Sequence, residues 1–126
     1  MAIDCIAEIP GAVELSNWFG GFPSFADARA ELSLNNPGAS FLKIWSHGVD
    51  KEGRYDPRRP FLATISFHEI STVSLTDFAR TLYLDELDIK KTGSGFRISW
   101  QAAYGPEGAV LCERLEISLE TKLEST

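Results

Sequence analysis

Residues 82–119, LYLDELDIKKTGSGFRISWQAAYGPEGAVLCERLEISL, decide how this chain folds. Leu82 and Leu84 share one parity and Leu87 and Ile89 the other, so one strand keeps all four on a single face only with an extra residue near Asp85-Glu86, a β-bulge. The turn Thr92-Gly93-Ser94-Gly95 follows, and Phe96, Ile98, Trp100, Ala102 and Tyr104 then recur at every second position, the period of a half-buried strand. A second turn, Gly105-Pro106-Glu107-Gly108, leads into a last strand with Leu115, Ile117 and Leu119. Three strands joined by such short turns form an antiparallel meander, because parallel neighbours need a crossover of about a dozen residues or more.

The segments upstream extend the same pattern. Phe61, Ala63, Ile65 and Phe67 alternate as a strand, and Ile70, Val73 and Leu75 give a shorter, less regular apolar piece before Thr76-Asp77-Phe78-Ala79, a single helical turn capped by Thr76. Residues 48–60, GVDKEGRYDPRRP, carry two glycines, two prolines and seven charges, which predicts a long surface loop or hairpin tip. Phe41 to Trp45 reads as a strand with Leu42 and Ile44 on one face and Phe41 and Trp45 on the other, so both faces are expected to be covered. Ala28, Ala30, Leu32 and Leu34 form one more strand, closed by the turn Asn35-Asn36-Pro37-Gly38.

Near the start the period changes. Between Pro10 and Phe19, Leu15, Trp18 and Phe19 stand at i, i+3 and i+4, and Gly20-Gly21 follows where a helix stops, with a positive φ expected at one of them at least. Phe22-Pro23-Ser24-Phe25 reads as an ordered aromatic connection. The fold class that results is mainly β (α+β): an antiparallel sheet or sandwich of about six to seven strands with one short N-terminal helix, in a single domain over residues 1–126. Its expected core includes Trp18, Phe25, Ile65, Ile98, Trp100 and Ile117.

Composition sets the function classes. A chain of 126 residues, 44% hydrophobic, can bury a core without disulfides or metal. Its apolar runs fall short of the roughly 18 to 20 residues that cross a bilayer, and Asp4 and Glu8 stand where an export signal carries positive charge. With only two cysteines, Cys5 and Cys112, the expectation is free thiols in the cytoplasm. The net charge of −6, with −2 in residues 1–63 and −4 in residues 64–126, disfavours nucleic acid and anionic membranes and suits a basic partner.

Searching for chemistry returns little. His47 and His68 lack a second ligand at metal-site spacing, so no metal and no cofactor is expected. Cys112, beside Val110 and Leu111, reads as a small buried hydrophobe. No Gly-x-Ser-x-Gly elbow, dinucleotide fingerprint or phosphate loop is present. Asp85, Glu86 and Asp88 are of the type that pairs as acid and base in glycoside hydrolysis, but charges so close along a strand read as a solvated edge. Phe41, Trp45, Phe61 and Phe67 with Arg54, Arg58 and Arg59 raise the idea of base stacking, but aromatics at this alternation read as core beside a charged loop.

The stretch WFGGFPSFADARAELSL, residues 18–34, resembles the opening of immunity protein family 50 of bacterial polymorphic toxin systems. There a short helix ends in a glycine-rich turn, followed by an aromatic-Pro-Ser-Phe-His-Asp-Ala segment and a strand. Phe19, Gly20, Gly21, Phe22, Pro23, Ser24, Phe25, Asp27 and Ala28 match. The rest of the chain is similar in order of features, with a polar loop at 48–60, Phe67-His68 ending an apolar strand, the step from Leu75 to Phe78, and a closing strand from Cys112 to Leu119. Ala26 departs from the family, which usually has histidine there, so a His-Asp pair is not available. A packing role for Phe25 and a capping role for Asp27 remain.

The resemblance implies a non-catalytic antidote that binds a cognate toxin protein inside the producing cell. The acids Asp85, Glu86, Asp88, Glu116 and Glu120 are the candidate partner-binding residues, with the loop of Arg54, Arg58 and Arg59 as the alternative. Two other classes stay open: a small hydrolase or isomerase with a cleft lined by His47, His68 and carboxylates, and a structural or regulatory module with a different partner.

Overall fold

The computed structural model describes residues 6–21, 23, 25–35, 40–49, 52, 54–76, 81–93, 95–105 and 107–121. Readings that fall on Cys5, Phe22, Ser24, Asn36-Pro37-Gly38, Asp77-Phe78-Ala79, Ser94 and Pro106 lie outside the described residues. Six strands follow a helix α1 (Ala12–Phe19): β1 (Arg29–Ser33), β2 (Ser40–Val49), β3 (Tyr55–Leu75), β4 (Thr81–Thr92), β5 (Gly95–Tyr104) and β6 (Gly108–Glu120).

The fold is mainly β and every pairing is antiparallel. The strands run in the order β1-β2-β3-β6-β5-β4 and close into a barrel. Closure is what periodicity left open between sheet and sandwich: Arg29, Ala30 and Glu31 of β1 pair with Tyr83, Leu82 and Thr81 of β4, which removes both free edges. The meander read from residues 82–119 is present as β4, β5 and β6, and β3 returns beside β6 in a Greek-key arrangement.

The bulge expected in β4 is real. Register shifts on both sides of Leu84, and Asp85 is left without a partner, so Leu82, Leu84, Leu87 and Ile89 all point inward and are fully buried. They meet Leu42, Ile44, Ala63, Ile65, Ile98 and Val110 from the other strands in one core. Of the expected core, Phe25, Ile65, Ile98, Trp100 and Ile117 are buried. Trp18 is only half-buried and packs against the core from outside.

Two strand limits differ from the sequence reading. Residues 55–60 are not loop but the start of β3, with Pro60 opposite His47 and Tyr55 opposite Val49. A bulge between these pairs relieves the regular ladder where Pro57 and Pro60 cannot donate. The piece at 70–75 is the same strand continued past a second irregularity between Ile70 and Thr72, just after Glu69, which takes φ 58°. His68 therefore sits inside a strand rather than at its end.

Helix α1 lies against β6 and closes one end of the barrel. Leu15 and Ala12 are fully buried, and the edge-to-face rings of Trp18, Phe19 and Phe61, joined by Phe25, seal that end. The helix stops as expected: Gly20 has φ 75°, and the Gly21 N–H donates to Ser16 O at 2.8 Å. Before it, Ile117 N–H donates to Pro10 O at 2.8 Å, stitching the chain onto β6 beyond the residues that pair with the start of β5. Lys91 of β4 pairs with Glu8 across the same gap.

Candidate functional site on the outer barrel wall

The interior of the barrel is filled, so chemistry available to a partner lies on its outer wall and at its ends. Register fixes which outward side chains are neighbours. Tyr104 faces Tyr83, Tyr83 faces Arg29, Arg29 faces Trp45, Trp45 faces Leu62 and Leu62 faces Glu120, one lateral row around the barrel. Within it the Tyr83 and Tyr104 rings meet edge to face at 6.4 Å, with Tyr104 73% and Tyr83 44% exposed. The Arg29 guanidinium lies over Trp45 at 4.6 Å, and Lys43 stands over Phe41 at 5.0 Å. Phe41 and Trp45 are thus the outward aromatics of β2, while Phe61 and Phe67 belong to the core.

The exposed tyrosines were not among the residues singled out from sequence. Parity placed Tyr104 on the same face as Phe96, Ile98 and Trp100. In the structure Tyr83 pairs with Tyr104 but Leu84 with Ala102, so Ala103 is an extra residue that turns Tyr104 outward beside Tyr83. Tyr83 carried a readable signal, since it stands between two inward leucines.

The five acids fall into two groups. Asp85 and Glu86 are exposed on β4 and Asp88 is half-buried there, its Oδ1 enclosed without a hydrogen-bond partner among the described residues and its Oδ2 3.8 Å from Lys90 Nζ. Together with Arg97, Ser99, Trp100 and Gln101, Glu86 and Asp88 line a shallow groove of about 310 Å³ between β4 and β5. Glu116 and Glu120 are exposed on β6. Asp88 pairs with Ser99 and Ser99 with Ala109, so Glu116 lies seven residues farther along β6, about 23 Å at roughly 3.3 Å per residue. One compact contact does not cover both groups.

Glu116 also has a neighbour of its own, His68 Nε2 at 3.3 Å. Beside it Glu69 and Glu113 share a hydrogen bond, which together with their mutual repulsion raises the Glu113 carboxyl above its ordinary value. Arg114 lies 3.7 Å from Glu69. His47 is not part of this group: it pairs with Pro60, eight residues along β3 from His68, about 26 Å at roughly 3.3 Å per residue. The two histidines that the enzyme alternative would set in one cleft thus lie far apart along the barrel wall. Cys112 is buried, and desolvation pushes its thiol up to about 11.

The arginine loop is turned toward its own chain. Arg58 holds Asp56 through Nε at 3.1 Å and the backbone N–H at 3.0 Å, which lowers the Asp56 carboxyl below its ordinary value. Arg59 stacks on Trp18 at 4.3 Å and donates to Trp18 O at 3.2 Å. Arg54 lies 3.6 Å from Glu52.

The family-like segment serves packing. Phe19 and Phe25 join the aromatic seal, Gly20 and Gly21 end the helix, and Pro23 is half-buried. Asp27, at φ 65°, acts through its backbone: its N–H donates to Leu84 O at 2.7 Å, and Leu84 N–H donates to Ala28 O at 2.8 Å. Ala26 is exposed between them. A different cleft, of about 360 Å³, opens at the opposite end of the barrel among Leu34, Asn35, Ser40, Phe67, Glu69, Ile70 and Val73.

Among the described residues no group of three or more His, Cys, Asp or Glu side chains could hold a metal ion, and no described helix is long and apolar enough to cross a membrane. Compared with known proteins, the chain matches no protein-family model, no curated protein and no solved structure.

Proposed function

We propose that this protein is an immunity protein, a non-catalytic antidote that binds a cognate bacterial toxin in the cytoplasm of the cell that makes both. The observation that carries the reading is the acidic outer wall: Asp85, Glu86 and Asp88 project from a closed barrel whose interior is filled, in a chain of net charge −6. An acidic surface on a rigid scaffold speeds encounter with a basic protein and rejects acidic ones. The likeness of residues 18–34 to immunity protein family 50 supports the same reading, and supplies the toxin as the partner.

Co-expression tests it. The product of the gene adjoining this one is induced in a host with and without this chain. Restored growth, together with a stoichiometric complex on gel filtration, is the expected result. Toxicity unrelieved by the chain, with no complex formed, refutes the antidote reading.

A further inference from the structure

Resting on the reading that the chain binds a basic partner, we propose that the docking face is the outer wall of the β4–β5 hairpin, with Tyr83 and Tyr104 as anchors and a Lys- or Arg-bearing surface of the partner protein as occupant. Three observations converge there. First, Tyr83 and Tyr104 are two of the five large hydrophobic residues exposed among those described, and their rings touch each other. Exposed, mutually braced aromatics are the side chains that dominate interface energetics, because they bury large area with little loss of rotamer freedom.

Second, the charges that follow Tyr83 in the chain are acidic, while Arg29, opposite Tyr83, lies over Trp45. Asp85 and Glu86 follow Tyr83 directly in the chain, and neither forms an ion pair with another described residue. Glu86 faces Gln101, and the groove beyond them, which Arg97 also lines, opens on Asp88, whose enclosed Oδ1 has no donor among the described residues. Lys90, opposite Arg97, ends the acidic run, and Arg29 is drawn away over Trp45 on the other flank. A cationic side chain seated between the tyrosine rings and Glu86 gains both a ring face and a carboxylate, and one in the groove reaches Asp88.

Third, the other candidates have neighbours of their own: Glu116 lies 3.3 Å from His68 Nε2, Arg58 pairs with Asp56, and Arg59 donates to Trp18 O. The bulges at Asp85 and Ala103 place the two rings and the acids on one surface, which gives these irregularities a role beyond keeping the leucines inside.

The test compares variants by surface plasmon resonance against the toxin domain encoded beside this gene, at two salt concentrations. The Tyr83→Ala/Tyr104→Ala pair is expected to dissociate at least roughly tenfold faster than the parent, and the Tyr83→Phe/Tyr104→Phe pair to retain parental kinetics. Asp85→Lys/Glu86→Lys and Glu116→Lys/Glu120→Lys change net charge equally, so a difference between them reports position. The β4 pair should slow association more and flatten its salt dependence. If the alanine pair melts early, Tyr104→Arg carries the test, since it sets like charge against the partner from an exposed position and should abolish binding. Parental kinetics in the alanine pair and in Tyr104→Arg, or an equal or larger effect of the β6 pair, overturns this face while leaving the antidote reading standing. A parent that does not bind the toxin at all overturns both.

Discussion

Replacing Gly11 and Gly20 separately by alanine isolates what fastens the helix to the barrel. Both glycines have left-handed backbone, φ 86° and φ 75°, so alanine costs roughly 1–2 kcal/mol of conformational strain at either. Their surroundings differ. A Cβ on Gly20 meets nothing within 4 Å, whereas one on Gly11 overlaps the carbonyl oxygen of Ile117. That backbone cannot retreat without breaking the 2.8 Å hydrogen bond from Ile117 N to Pro10 O, and a buried group left unpaired costs about 1–3 kcal/mol more. Gly11→Ala should therefore destabilise by about 2–5 kcal/mol and Gly20→Ala by about 1–2. Urea denaturation followed by far-UV circular dichroism measures both, with an unchanged slope showing that stability alone has moved. Equal losses in the two variants would mean that strain is the whole effect and that the Pro10–Ile117 junction carries none.

Three further outcomes follow from the core and its charges. Trp100 is 3% exposed inside the barrel, so Trp100→Ala should cost roughly 3–5 kcal/mol by the same denaturation assay, and a neutral result would mean the ring is not packed as described. Arg58 lowers the Asp56 carboxyl in the folded state, so this pair's contribution is present above the ordinary value of 3.8 and lost as pH falls through the depressed folded value. Asp56→Asn should accordingly lower the melting temperature at pH 7 and leave it nearly unchanged at the lowest pH where the fold persists. With its thiol at about 11, Cys112 should resist Ellman's reagent at pH 8 in a Cys5→Ser background and react at once in guanidinium, and rapid native reaction would contradict its burial.

Local structure was legible in the residues wherever a period and its punctuation agreed. Leucines that change parity at Asp85-Glu86 required a bulge, and one is there; Leu15 and Gly20-Gly21 required a short helix and its stop. Period and turn residues act between near neighbours, so they are written in the chain. Glu116, set between the inward Leu115 and Ile117, was likewise legible as an outward side chain.

What those elements enclose, and which outward residues meet, depends on long-range pairing. Pairing of Arg29 to Tyr83 closes the barrel, and it joins residues far apart in sequence through backbone groups that carry no side-chain signature. The same long-range pairing extends β3 through Pro57 and Pro60, where local composition reads as loop. It also separates Glu116 from Asp88, and it brings the Tyr104 ring, moved outward by the extra Ala103, against Tyr83. Register sets which surface residues are neighbours, and a shift of one residue moves a side chain to the other face.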